Sequence, residues 1–150
     1  MPDKVKRRSP SEDRKWTAGS IRLSSRTVSA GEISARLGIM ADEQFERGSL
    51  ISPRNPAGAR REYNVWIRRS GLANDSDLAD HVRVLVGLLD GRRAELAALS
   101  VDCDVEFLLG FGSGNGQGGC VLPGSLLADI ATFGLDIVLD LYPPGAPGDC

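Results

Sequence analysis

The sequence predicts an α+β, ferredoxin-like two-layer sandwich: a mostly antiparallel sheet of four to five strands with three helices on one face. Three observations carry this expectation. Strand-like and helix-like segments alternate in the order strand, helix, strand, helix, strand, helix, strand. Nearly every strand segment alternates apolar with polar residues, the mark of a sheet covered on one face, whereas parallel sheets buried on both faces read as unbroken apolar runs. Finally, 150 residues with 41% hydrophobic and 25% charged side chains suit one globular domain with a real core. Two β-α-β units joined by a further helix give the ferredoxin-like layout.

The elements follow in chain order. Residues 1–15 mix charge with Ser and Pro without any apolar period and read as a disordered basic tail. The single domain is expected over 16–142. In "WTAGSIRLS", Ile21 and Leu23 share one face and Ser20, Arg22 and Ser24 the other, which predicts the first strand. "TVSAGEISARLGI" starts a helix: Ser29 and Glu32 form an S-x-x-E capping box, Ile33 and Leu37 lie one turn apart, and Gly38 supplies the stop. The stretch Met40–Arg61 has little periodicity and much Gly, Pro, Asn and Arg, so it reads as a long loop. "EYNVWIR" alternates Tyr63, Val65 and Ile67 against Asn64, Trp66 and Arg68, the second strand.

"NDSDLADHVRVLVGLLDGRRAELAAL" places Leu78, Val82, Leu85, Val86 and Leu89 at helical spacing, with Asp90-Gly91 as a kink or end before further helical turns through Leu99. His81, the only histidine, borders this stripe and reads as a boundary packing residue. "CDVEFLLGF" is a strong strand with Cys103, Val105, Phe107, Leu109 and Phe111 on one face. "GSLLADIATFG" is the third helix, packing Leu126, Leu127, Ile130 and Phe133. "LDIVLDLY" closes the sheet with Leu135, Ile137, Leu139 and Leu141 inward and Asp136, Val138, Asp140 and Tyr142 outward. Residues 143–150 read as a flexible C-terminal tail.

Composition narrows the function. No apolar run approaches the roughly 20 residues that span a bilayer, and the basic start has no apolar region of a signal peptide after it, so a cytoplasmic protein without membrane contact is expected. Cys103, Cys120 and Cys150 are odd in number, far apart and without a CxxC pair, which suggests neither a disulfide framework nor, with one histidine, a zinc site. The net charge of −2 is polarised: through Ser70 there are 15 Lys/Arg against 8 Asp/Glu, and from Gly71 onward 3 against 12. Such asymmetry marks either a nucleic-acid or acidic-partner surface on the basic part, or two parts that neutralise each other on folding.

"GNGQGG", residues 114–119, fits the dinucleotide spacing G-x-G-x-x-G, with Asp140 roughly where a ribose-binding carboxylate would stand. The glycines should then run straight into a helix, yet Cys120-Val121-Leu122-Pro123 intervenes and the Lys-Ser/Thr of a P-loop is missing. The segment reads as a strand-to-helix connection, and no cofactor is expected.

The segments "TVSAGEISARLGI", "FERG", "VWIRRS", "DLADHVRVLVGLLD" and "LLADIATFGLDIVLDLY", in that order and spacing, resemble a bacterial family known as domain of unknown function 4279, from about Trp16 to Tyr142. Family members usually have a tryptophan and a lysine where this chain has Phe45 and Arg47. The resemblance implies a small cytoplasmic α+β domain and no known reaction; by analogy only, small domains of this sort sometimes accompany toxin and immunity genes.

No serine elbow or cysteine–histidine arrangement points to nucleophilic catalysis. The pairs Asp104/Glu106 and Asp136/Asp140 lie on strands, where outward carboxylates are ordinarily solvated, so no catalytic residue is assigned and an enzyme is the less favoured reading. The leading expectation is a non-enzymatic protein-binding module, immunity-type or regulatory, of unknown partner. Arg22, Trp66, Arg68 and Tyr142 are expected to project from the open sheet face, where arginine and aromatic side chains make good anchors, with the Met40–Arg61 loop and its Arg47 alongside. The alternative is nucleic-acid binding by the basic N-terminal part, which Asp104 and Glu106 on the same sheet disfavour. The oligomeric state is left open by the sequence.

Overall fold

The computed structural model describes residues 15–114, 116 and 118–142. The tails expected over 1–15 and 143–150 fall outside this set, except Lys15, which opens the first strand. The elements are β1 (Lys15–Ser25), α1 (Ala30–Leu37), β2 (Glu43–Phe45), β3 (Asn64–Arg69), α2 (Leu78–Asp90), α3 (Arg93–Leu99), β4 (Asp104–Ser113), α4 (Gly124–Phe133) and β5 (Asp136–Tyr142). The architecture is α+β, with a five-stranded mixed sheet in the order β2-β3-β1-β4-β5. All pairings are antiparallel except β4–β5, which is parallel and closed through α4.

Four helices are present among the described residues where three were expected. The long helical stretch divides at Gly91, and Arg92 holds the break: its guanidinium donates to the Leu37 carbonyl at the end of α1 and to the Leu88 carbonyl of α2. One cation thus satisfies orphan carbonyls of two helix ends, where positive charge is favoured. α1 starts with the Ser29 half of its expected capping box, the Glu32 amide donating to Ser29 Oγ at 3.2 Å, and ends at Gly38 with φ 67°. The expected loop contains a short strand, β2, and its remainder is partly paired through the Leu50–Arg60 bridge.

Register assigns the two sheet faces. Residues directly opposite across a ladder share a face, so Ile21 and Leu23 of β1 stand with Val105 and Phe107 of β4 over the helices. These join Ile33, Leu37, Val82, Leu85, Leu89, Leu96, Leu99, Leu126 and Ile130 in one core. Strand β3 corrects the expectation for Trp66. Leu23 lies opposite Trp66, which places the indole on the helix side, 0% exposed, and leaves Val65 and Ile67 on the open face. The alternation of β3 allowed either assignment, and a one-residue change of register exchanges the faces of a whole strand. The indole wins the inner side because it fills more volume and its N–H finds a partner there, Ser34 Oγ of α1 at 2.9 Å.

His81 is likewise an inner residue, not a boundary one, at 1% exposure. It packs against β1 where Gly19 leaves room; a Cβ at position 19 would lie 2.7 Å from His81 Cβ. Its Nε2 is 3.1 Å from Thr17 Oγ1 and its Nδ1 2.6 Å from Ser70 Oγ. Thr17 spends its single hydroxyl proton on the Ser76 carbonyl, so it accepts from Nε2–H, and Nδ1 accepts from Ser70. Burial holds the imidazole below its ordinary pKa of 6.5, opposed by a hydrogen bond with the Ala73 backbone.

Candidate functional site

The helices leave one face of the sheet open, and the strands fix what it displays. By register it carries Trp16, Ala18, Ser20 and Arg22 from β1, Glu106, Leu108, Gly110 and Gly112 from β4, and Asp136, Val138, Asp140 and Tyr142 from β5. Two glycines inside the central strand β4 shape its aromatic end. A Cβ on Gly110 would lie 2.7 Å from Trp16 Cζ3, and one on Gly112 would lie 3.1 Å from Tyr142 Cβ. Bare backbone at these positions lets both side chains settle close to the sheet. Their rings meet edge to face, with centroids 4.8 Å apart and planes at 76°, while Trp16 stays 38% and Tyr142 47% exposed. The Tyr142 hydroxyl donates to Asp140 Oδ2 at 3.1 Å, which raises the phenol pKa because the carboxylate stabilises its protonated form.

Of the residues expected to form a partner surface, the structure brings Arg22 and Tyr142 to this face. Arg22 is ion-paired with Glu106 directly across the ladder and so offers a half-neutralised charge. Arg68 stands on the helix side of β3, where its guanidinium donates to the Met40 carbonyl and lies 3.6 Å from Asp42, tying down the segment that leads to β2. Arg47 lies in the loop after β2; its backbone amide donates to Asn64 Oδ1 and its side chain to the Arg26 carbonyl. Trp66, in the core, has no part in an exposed surface. Sequence reasoning passed over Trp16, whose signal was an aromatic residue at the start of a strand together with glycines two apart in the strand that pairs with it.

The sheet ends at β5 on this side. Leu139 and Leu141 point to the helix side as expected, yet they are 56% and 68% exposed, because α4 packs on α2 and does not extend over the last strand. A cleft of about 370 Å³ opens above them, lined also by Leu78, Phe111 and glycines of the 114–119 segment. That segment links β4 to α4 and is held by Lys15, whose Nζ donates to the Gly119 carbonyl at 3.1 Å. α4 begins at Gly124, after Pro123, so the glycines and the helix N-terminus are separate features. Asn115 and Gln117 fall outside the described residues.

The remaining chemistry is structural in character. Ser70, His81 and Thr17 form a closed hydrogen-bond chain that locks the β3–α2 connection to β1, and neither Ser70 nor His81 lines the clefts at β5, at the start of α2 or beside Cys103. Burial pushes the Cys103 thiol up from its ordinary pKa, away from the reactive thiolate. Glu106, Asp136 and Asp140 share the open face but line none of those three clefts. Among the described residues no three His, Cys, Asp or Glu side chains gather in a metal-binding group, and no helix is long and apolar enough to cross a membrane.

Comparison with the curated proteins and with the solved structures gives no match. The model of one family does match, over residues 14–144, from just before β1 to just past β5 and so across every strand and helix described above. The chain therefore belongs to the family described as Domain of unknown function (DUF4279).

Proposed function

We propose that the domain is a non-enzymatic protein-binding module that works through the sheet face left open by its helices. The observation that carries this reading is the half-exposed Trp16–Tyr142 pair, seated on Gly110 and Gly112, with Leu108, Val138 and Arg22 further along the same face. Large amphipathic rings held in place by backbone lose little entropy when a partner covers them, and aromatic and arginine side chains dominate the energy of protein interfaces. An immunity-type or regulatory role in the bacterial cytoplasm fits such a module; the free thiols of Cys103 and Cys120 suit a reducing compartment. The ferredoxin-like layout belongs to the same proposal: the order β2-β3-β1-β4, with α1 and the α2–α3 pair as crossovers, supports two split β-α-β units to which α4 and β5 are appended.

Nucleic-acid binding is the weaker reading on the same geometry. Asp104, Glu106, Asp136 and Asp140 all project from the open face, where phosphates would meet carboxylates. The test is affinity capture from the source cell with the intact domain and with Trp16→Ser, Tyr142→Ser and Arg22→Ala, each checked for native circular dichroism. A stoichiometric protein partner lost with these variants, and kept by Arg83→Ala on the helix side, is the expected result. A partner held equally by all of them overturns the proposal.

A further inference from the structure

Strand β5 has an unpaired outer edge among the described residues, seven residues long, where the opposite edge, β2, has three. Exposed edges of this length are ordinarily blunted by lysine, proline, a bulge or a covering segment. Among the described residues β5 has none of these; instead its two sides differ in chemistry. On the open face stand Asp136 and Asp140, neither with a cationic partner among the described residues, although Arg22 and Arg69 on the same face are ion-paired to Glu106 and Glu43. On the helix side stand Ile137, Leu139 and Leu141, of which Leu139 and Leu141 are largely uncovered and line the cleft.

We infer that this edge accepts an extended polypeptide segment as a sixth strand, and that the segment alternates aliphatic with cationic side chains. The inference rests on the protein-binding reading and gives the partner its chemistry. Backbone groups of the edge supply hydrogen bonds to any strand, and the alternating side chains supply selectivity. Residues of the added strand opposite Ile137, Leu139 and Leu141 are aliphatic, since they extend the apolar band over the cleft. Those opposite Asp136 and Asp140, four positions apart, are lysine or arginine, because opposite charges directly across a ladder are favourable and like charges are not. A second copy of β5 fits less well. Centred on Val138, antiparallel self-pairing sets Asp136 against Asp140; centred on Leu139, it sets the aspartates against Tyr142 and Val138 and neutralises neither.

The probe is the synthetic peptide Thr-Val-Lys-Val-Thr-Val-Lys-Val-Thr, compared with its counterpart carrying Glu in place of both Lys. Titration calorimetry gives the affinities, and amide hydrogen exchange of the full chain locates the contact. The expected result is preference for the lysine peptide, with exchange slowed across Asp136–Tyr142. In Asp136→Lys/Asp140→Lys, whose altered side chains are exposed and leave the core intact, the lysine peptide weakens by about two- to thirtyfold per reversed charge and the glutamate peptide becomes the better ligand. Absence of binding by the wild type, indifference to charge reversal, or slowed exchange at β2 or on the open face alone overturns the inference; the last result still leaves the protein-binding proposal standing. A mass that rises with protein concentration and falls back in Leu139→Lys overturns it in favour of a second copy.

Discussion

Replacing Trp66 measures directly which face of β3 is the inner one. The indole is 0% exposed and its N–H donates to Ser34 Oγ at 2.9 Å, so Trp66→Ala removes a full aromatic side chain from a closed site. Removing about 150–250 Å² of buried ring surface corresponds to roughly 4–6 kcal/mol by area transfer, and truncations of buried Phe or Trp to Ala fall at about 3–5 kcal/mol. A domain with about 5–15 kcal/mol in total would lose roughly a fifth or more of its stability. Trp66→Phe is the gentler variant. It gives up one hydrogen bond, about 1 kcal/mol, and the packing of the missing ring atoms, about 1–2 kcal/mol. Urea unfolding followed by circular dichroism should then show a midpoint lower by about 1–1.5 M, for a slope near 2 kcal/mol per M. Ser34→Ala should make part of that loss non-additive in a double-mutant cycle, since both changes remove one bond. A Trp66→Ala loss below about 1 kcal/mol, the range of a surface position, would refute the assignment and return the indole to the open face. Partner binding by the folded Trp66→Phe protein should be unchanged.

Other outcomes follow from the same packing. Because burial holds the His81 pKa below 6.5, the unfolded chain takes up its proton first as pH falls; stability should be full above about pH 7.5 and decline through the window below 6.5, a slope that His81→Gln flattens in urea titrations between pH 8 and 5.5. Gly19→Ala puts a methyl 2.7 Å from His81 Cβ and should lower stability by about 1–3 kcal/mol, a clash that His81→Ala leaves in place because alanine keeps the Cβ. Arg92→Ala frees the Leu37 and Leu88 carbonyls and should cost about 1–2 kcal/mol by thermal unfolding, whereas Arg92→Lys, a point charge without the guanidinium fork, should recover only part of it.

Local chemistry was legible in the sequence wherever a rule acts over a few residues. The Ser29–Glu32 cap, the Gly38 stop and the two-faced alternation of β1 and β4 all appear as the spacing implies. What needed the structure were choices between two locally equal alternatives. Strand β3 offers Val65 and Ile67 on one side and Trp66 on the other, and only the ladder to β1 and the hydroxyl of Ser34 settle which side goes in. β5 shows the complementary limit: the face of Leu139 and Leu141 was readable from alternation, but their exposure depends on where α4 comes to rest. The break at Gly91 was readable as an end or a kink, while the role of Arg92 in holding it required the end of α1, 55 residues away in the chain, to be nearby. The candidate site was half legible: Arg22 and Tyr142 reach the open face, Trp66 and Arg68 do not, and Trp16 takes the place expected of Trp66.

The glycines of β4 connect stability to the candidate site. A central strand gains from β-branched or aromatic residues, and glycine inside it is destabilising by roughly 0.5–1 kcal/mol relative to alanine. Gly110 and Gly112 both occupy such positions, both on the open face, where no helix needs the space. Gly19, on the covered face, offsets its own loss by seating buried His81. The two in β4 instead seat Trp16 and Tyr142, which remain 38% and 47% exposed and therefore return only part of their burial to the fold. The aromatic end of the sheet is thus less stabilising than a plain β-branched strand would be, and the shortfall is recovered only when something covers the two rings. Covering them is what the proposed partner does, so a bound partner should raise the unfolding temperature of the wild-type domain more than that of Trp16→Ser.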